Sequence, residues 1–367
     1  MKLIAPSGGS CPSNRPEGLT VPYTLRTSFV IAFFVVAFQS VICLPQSAFA
    51  READITRIQS RAEHGSIAQE MELGEAYLAG RGVPRDEKKA AYWYEKAANA
   101  GDPEAQQQIG YFYQLGIGVD RDPERAAKWF ERAVASGLTS AKVNLGVAYV
   151  LGLGVRKDPE FAAQFFREAV EKGNGTAACY LGDMYYFGMG VPKNASEARS
   201  WFETGAKFHD ARAQFNLAMM LFQQDNLTSK DVIMLLRDSA RAGYVPAMYQ
   251  LALFIVRNPA LAASPTETND LLEAAAADGS WRSSALLGIL ARDGRAGVTQ
   301  NKRIAYYHFR IAILQGGEAA TALLANDLHL LTSELAVSNI SSLDSEAIEW
   351  MEKHKRACWL TSECVND

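Results

Sequence analysis

A short sequence pattern returns every 36 residues along most of this chain of 367 residues. A Leu-Gly pair, or a pair close to it, comes back at this spacing with one interval of 34. The pairs are Leu73-Gly74, Ile109-Gly110, Leu145-Gly146, Leu181-Gly182, Leu217-Ala218, Leu251-Ala252, Leu287-Gly288 and, less clearly, Leu323-Leu324. Such a period is typical of proteins in which each unit packs on its neighbours. The chain is therefore predicted to form one elongated array rather than two or three globular domains.

Two further sets of residues recur every 36 residues at fixed positions within the same unit. We call each recurring set, including the Leu-Gly pairs, a ladder. A Gly-x-Gly-Val loop begins at Gly80, Gly116, Gly152 and Gly188, and it returns with one more residue at Gly294. An aromatic or aliphatic position recurs as Trp93, Trp129, Phe165, Trp201, Leu235, Leu271 and Tyr307. Three ladders in phase are not expected by chance, so the repeat is predicted to organise the whole fold.

The residues within one unit predict two helices joined by a glycine loop. Asp102 is a good N-terminal cap, and the apolar residues after it recur at the three- and four-residue steps of one buried helix face. Gly116 ends this helix, and Gly118 supplies a second backbone conformation open mainly to glycine. Asp122 then caps the second helix, which ends near Gly137.

Close packing of the two helices is predicted where small residues face large ones. Ala105 and Gly110 on the first helix let the second helix approach, and Trp129 is expected to fill the space beyond them. A hairpin of this kind cannot bury its apolar face alone. Neighbouring copies must therefore supply the rest of the core.

The unit between Ala105 and Gly137 resembles the Sel1-like repeat, a relative of the tetratricopeptide repeat. The Gly-x-Gly-Val loop and the 36-residue period carry the resemblance. Residues 69–208 hold four close copies, whereas the units from about 213 to 315 depart from the pattern. The resemblance implies an all-α fold, namely a right-handed α-solenoid of helix–turn–helix repeats with terminal capping helices.

The repeat and its flanks divide the chain into four predicted segments. Residues 1–50 are a signal peptide, residues 51–66 an N-terminal cap, residues 67–316 a solenoid of about seven units, and residues 317–367 a degenerate repeat with a C-terminal capping helix. That last helix is expected from about Asp344 to Cys358, after a link rich in Ser and Leu. Its charged side chains suit a solenoid end, because no further repeat covers that face.

The amino terminus has the pattern of a signal peptide. Three basic residues precede an apolar run between Phe29 and Leu44. The small residues of Ala48-Phe49-Ala50 then suit cleavage after Ala50. The protein is therefore expected to be exported and to lie in the periplasm or outside the cell. The alternative is an uncleaved segment that anchors the protein in the inner membrane, which would be its only membrane contact.

Composition and charge narrow the class of partner. Apolar residues make up 48% of the chain and charged residues 21%, a balance that excludes full disorder. The net charge is -4, and it becomes -6 without residues 1–50, which hold three basic residues and one acidic residue. Nucleic acid requires a basic face, so it is not an expected partner. A protein or peptide partner is expected, and no small-molecule ligand is implied.

No motif in the sequence indicates catalysis. The five histidines form no zinc-like pair, and the glycine loops follow helices rather than the strands that precede phosphate loops. The G-x-S-x-G and S-x-x-K motifs of serine enzymes are absent from the sequence. We therefore predict no catalytic residue, no cofactor and no metal site. The alternative is a cell-wall enzyme that binds β-lactams, because some Sel1-like proteins are described in that way, although those carry a cysteine pair in most units.

Three cysteines follow the predicted cleavage site. Cys358 and Cys364 lie six positions apart, so they could close a small loop by a disulfide in an oxidising compartment. The alternative is two free thiols on a frayed tail. Cys179 is the one cysteine inside the repeats, and we expect it to be a packing residue.

One column of first-helix residues suggests a binding surface. The position before the Leu-Gly pair is an amide in four of seven units, and these are Gln108, Asn144, Asn216 and Gln250. Amides at regular heights could hold an extended peptide backbone, or they could tie adjacent helices together. The favoured prediction is a non-catalytic scaffold or adaptor that binds a protein segment. The resemblance implies regulation of an envelope signalling or polysaccharide system, and an anchored adaptor is the alternative.

Overall fold

The computed structural model describes residues 57–225 and 230–358. These residues contain helices and no β-strand. The α-helices are α1 (Ile67–Ala79), α2 (Glu87–Asn99), α3 (Pro103–Leu115), α4 (Pro123–Ala135), α5 (Thr139–Leu151), α6 (Pro159–Glu171), α7 (Gly175–Phe187), α8 (Ala195–Lys207), α9 (Ala211–Asp225), α10 (Lys230–Arg241), α11 (Val245–Arg257), α12 (Glu267–Ala277), α13 (Trp281–Asp293), α14 (Lys302–Glu334) and α15 (Val337–Cys358). A helical segment over 57–63 precedes them, and Pro259–Leu261 forms a short 3-10 helix.

Consecutive helices pair along the whole array. Each helix packs mainly against the helix before it and the helix after it. Repeat 1 consists of α1 and α2, repeat 2 of α3 and α4, and so on to repeat 7, which ends at a kink in α14. Gly317, with φ 50° and ψ -131°, makes that kink, and the rest of α14 pairs with α15 as repeat 8. Buried side chains form successive clusters along the chain, so the predicted all-α solenoid is confirmed.

Capping residues begin and end the helices as predicted. The carboxylate of Asp102 accepts the backbone N–H of Ala105 at 2.7 Å, and Asp122 plays the same part at the start of α4. Gly116 ends α3 with φ 76°, and Gly118 has φ 65°. Both glycines lie in the left-handed region that other residues rarely adopt. The loop therefore depends on glycine at both positions.

The two helices of a repeat approach closely at the glycine of the Leu-Gly pair. A Cβ atom added to Gly110 would lie 2.5 Å from the ring of Phe130. Gly146 and Gly182 face Phe166 and Phe202 in the same way. The ring that faces Gly110 is therefore that of Phe130, and its neighbour Trp129 is buried in the same hydrophobic cluster.

One extra loop residue shifts the register of the last repeats. The glycine loop of repeat 7 is one residue longer, and Gly288 faces Phe309. The residue before the facing ring, which is Trp129 in repeat 2, is therefore His308 in repeat 7 and not Tyr307. Burial lowers the pKa of His308 to about 4. The same shift leaves Leu323 53% exposed and buries Leu324, which is 1% exposed. The predicted pair Leu323-Leu324 is thus out of register by one residue.

The last helix begins earlier than the sequence suggested. It starts at Val337 rather than near Asp344, so the Ser- and Leu-rich stretch is helical and not a link. Its acidic residues Glu346, Glu349 and Glu352 are exposed, as expected for an end of the array. The predicted signal peptide and Cys364 lie outside the described residues.

One repeat closes without a glycine. His209 occupies the position that Gly137 and Gly173 hold in earlier repeats, and it has φ 58°. A left-handed conformation costs a residue with a Cβ atom about 1–2 kcal/mol. His209 is exposed and follows the end of α8.

Candidate protein-binding surface

The first helices of successive repeats share one side that faces away from their second helices. We call it the first-helix face; in repeat 3 it carries Ser140, Asn144, Val147 and Leu151, and other repeats carry the equivalent residues one period away. At the N-terminal end of the array, the equivalent residues of α1 are exposed or half-buried. In repeat 3, by contrast, Asn144 and Val147 are buried although they lie on the same face. The terminal repeat therefore leaves this face open, whereas a neighbouring first helix bonds to it in repeat 3.

Asn144 links two repeats through its side chain. The amide is 5% exposed, and its Oδ1 accepts the hydroxyl of Tyr111 from the preceding first helix at 2.7 Å. Ser140 also donates to Gln107 of the preceding helix, at 2.9 Å. The Nδ2 of Asn144 has no hydrogen-bond partner among the described residues. Asn144 thus holds α3 and α5 at a fixed spacing.

A buried ion pair lies at the boundary of repeats 4 and 5. Asp183 of α7 pairs with Arg212 of α9, and both side chains are largely shielded from solvent. The guanidinium also lies over the ring of Tyr180, 5.0 Å from its centroid. Asn216 donates to Asp183 at 3.3 Å and lies 3.7 Å from Cys179. This cluster joins α7 to α9 through charge and hydrogen bonds.

Burial controls the ionisation of this cluster. It raises the pKa of Asp183 to about 6, although the Arg212 guanidinium acts in the opposite direction. Burial likewise raises the pKa of the Cys179 thiol well above its usual range. A shielded, protonated thiol is a packing residue rather than a nucleophile, as expected for Cys179.

The four predicted amides do not form one continuous set. Asn144 and Asn216 each bond to a preceding first helix and not to each other. Gln108 and Gln250 are half-buried, and the Oε1 of Gln108 has no hydrogen-bond partner in the described part of the chain. Binding through any of the four stays a prediction.

Two rows of side chains at the loop end of this face were not recognised from the sequence. The apolar row consists of Leu115, Ile117, Leu151, Leu153, Phe187 and Met189, at the ends of the first helices and inside the glycine loops. The basic row consists of Arg85, Arg121, Lys157 and Lys193, all exposed. Both rows keep the 36-residue period, and that spacing is the signal that could have revealed them.

Groups that could support catalysis were also sought among the described residues. Within residues 57–225 and 230–358, no three His, Cys, Asp or Glu side chains cluster in a way that could hold a metal ion. Cys358 ends α15, and its proposed partner Cys364 is not described. Among the helices described, none combines the length and apolar character that crossing a membrane requires.

Comparison with known proteins identifies the repeat. Six segments match the Sel1 repeat, and together they cover just over half of the chain. They are residues 70–102, 103–138, 139–174, 175–207, 211–233 and 282–317. No segment between 233 and 282 matches, whereas residues 211–233 and 282–317 match although the units from about 213 to 315 were expected to depart from the pattern. No curated protein gave a match.

Solved structures show the same architecture. A Sel1 repeat protein from Oxalobacter formigenes is similar with a TM-score of 0.52 and 24% identity, over 82% of this chain and 85% of that one. A protective antigen of uropathogenic Escherichia coli, c5321, is also 24% identical, with a TM-score of 0.49 over 84% of this chain and 73% of that one. The first of these similarities supports the fold alone.

Proposed function

The chain belongs to the Sel1 repeat family, and from that membership we propose that it is a non-catalytic scaffold that holds a segment of a partner protein on its first-helix face. Sel1 repeat proteins generally mediate protein–protein interactions. The observation that carries the proposal is the direct bonding of consecutive first helices, through Tyr111 and Asn144 and through Asp183 and Asn216. A surface held in this way loses little conformational entropy on binding.

The four predicted amides have two different roles under this proposal. Asn144 and Asn216 set the spacing of the helices, because their side chains already bond within the protein. Gln108 and Gln250 are half-buried and supply the contacts to the partner backbone.

Site-specific photo-crosslinking tests which face binds. A benzophenone amino acid is placed at Leu115 or Gln108 on the first-helix face, and at Tyr92 or Met234 on second helices as matched controls. Leu115, Tyr92 and Met234 are about equally exposed, at 50%, 59% and 51%. We expect a discrete crosslinked partner in the producing cells from the first-helix positions alone. Equal crosslinking from Tyr92 or Met234 contradicts the proposal.

We further propose that the protein works after export. The signal-peptide pattern that ends at Ala50 supports this location. Intact-mass measurement on protein from the producing cells is expected to give a chain that begins at Arg51. A mass that retains residues 1–50 instead favours the membrane-anchored adaptor.

A further inference from the structure

The apolar row is partly open to solvent along three consecutive repeats. Leu115 is 50% exposed, and Leu151 and Phe187 are half-buried at the equivalent positions. The residue between the two loop glycines is half-buried and apolar in each case, as at Ile117 and Leu153. Regularly spaced apolar side chains that remain accessible are typical of a surface that contacts another molecule.

The basic row lies directly beside the apolar row. A Cβ atom added to Gly116, the residue after Leu115, would lie 3.4 Å from the Cβ of Arg121. Lys157 and Lys193 lie equally close to the glycines that end α5 and α7. The stems of these side chains therefore pack on the loops, and their charged ends reach the solvent at the same edge.

Several acidic residues at this edge bond within the protein, and Glu87 pairs with Arg85 of the basic row. Asp86, Asp122 and Asp158 each accept a backbone N–H at the start of a second helix. Within the described residues, no carboxylate forms an ion pair with Lys157 or Lys193. The exposed ammonium groups of Lys157 and Lys193 are therefore available to a partner at this edge.

We propose that this edge binds an extended segment of a partner protein in which aliphatic and acidic side chains alternate at a regular spacing. The inference rests on the proposed function and names the chemistry of the partner. Aliphatic side chains contact the apolar row, and carboxylates pair with the basic row. Packed helices lie about 10 Å apart, and a segment in the polyproline II conformation rises about 3.1 Å per residue with three residues per turn. Side chains three residues apart in the partner therefore lie on one side, roughly one repeat apart.

Fluorescence anisotropy with designed peptides tests this inference on the purified protein. The probe is a fluorescein-labelled peptide of about four Leu-Glu-Ser units, and the comparison peptides are of Leu-Lys-Ser and Ser-Glu-Ser units. We expect the Leu-Glu-Ser peptide to bind at least about tenfold more tightly than either comparison peptide, because each of those lacks one of the two matching features. Added salt is expected to weaken its binding.

Variants of the basic row locate the binding site. Lys157→Glu with Lys193→Glu is expected to weaken binding of the Leu-Glu-Ser peptide about tenfold. Lys128→Glu with Lys172→Glu makes the same charge change away from this edge, and it is expected to change the affinity less than about twofold. Leu115→Ser is expected to weaken binding without altering the salt dependence.

Two results overturn the inference. One is equal binding of the Leu-Glu-Ser and Leu-Lys-Ser peptides, and the other is an equal effect of the two charge-reversed pairs. If crosslinking captures a partner at Leu115 while the peptides fail in this way, the partner chemistry is wrong and the proposed function stands. If no crosslink forms on the first-helix face, the proposed function fails as well.

Discussion

Replacing Gly154 by alanine is expected to cost about 3–5 kcal/mol in the free energy of unfolding. Gly154 has φ 71°, and an added Cβ atom would lie 1.9 Å from the carbonyl oxygen of Pro123. Pro123 begins α4 of the preceding repeat, so the clash is with backbone that is fixed in a helix. The alanine must therefore push repeat 3 away from repeat 2 in addition to adopting an unfavourable conformation.

Gly137→Ala separates these two costs. Gly137 also has a positive φ, of 89°, but no atom lies within 4 Å of its added Cβ. Only the conformational cost of about 1–2 kcal/mol is expected there. Urea unfolding followed by circular dichroism measures both variants. Because repeats are coupled only through their neighbours, Gly154→Ala is also expected to split the transition in two. Equal losses for both variants contradict the proposed contact between repeats.

The sequence predicted each repeat well because its signals are local. A capping residue such as Asp102 and a terminating glycine such as Gly116 act within a few residues of their own position. Contacts between repeats do not follow from such local signals. The approach of Gly154 to Pro123 joins residues of two units, and the glycine ladder alone does not show which backbone lies opposite it.

The predicted register is wrong after the one-residue insertion in the loop of repeat 7. A fixed period carried past the longer loop of repeat 7 selects Tyr307 and Leu323. The equivalent positions are instead His308, which precedes the ring that faces Gly288, and the buried Leu324. The sequence contains this insertion as the extra residue between Gly294 and Gly297. Helix packing resolves the ambiguity because a shift of one residue turns a side chain by about 100° around the helix.

The candidate surface was predictable in part. The position of the amides on the first helices followed from periodicity, but the bonds of Asn144 and Asn216 to the preceding helices depend on tertiary spacing. The sequence also does not show which charged side chains at the loop edge are left without a partner in the protein. Lysine and aspartate are adjacent in sequence at Lys157 and Asp158, and only the cap hydrogen bond shows that the aspartate turns toward α6.

Replacing Arg212 by methionine is expected to destabilise the protein by about 3–5 kcal/mol at pH 8 and by much less at pH 5. The folded protein raises the pKa of Asp183 from 3.8 to about 6, so ionisation of this carboxyl opposes folding as the pH rises through 6. Arg212 limits that loss of stability by pairing with the carboxylate. Without it the pKa rises further, and each pH unit above 6 costs up to about 1.4 kcal/mol more.

Arg199→Met is the matched control for this charge effect. Arg199 pairs with Glu203 at 2.8 Å, but both side chains are more than 40% exposed. Solvent screens such a pair, so its loss is expected to cost less than about 0.5 kcal/mol at either pH. Thermal or urea unfolding at pH 5 and pH 8 measures both variants. If Arg212→Met costs the same at both values, its contribution comes from packing on the ring of Tyr180, because only the charge of Asp183 changes across that range within the cluster.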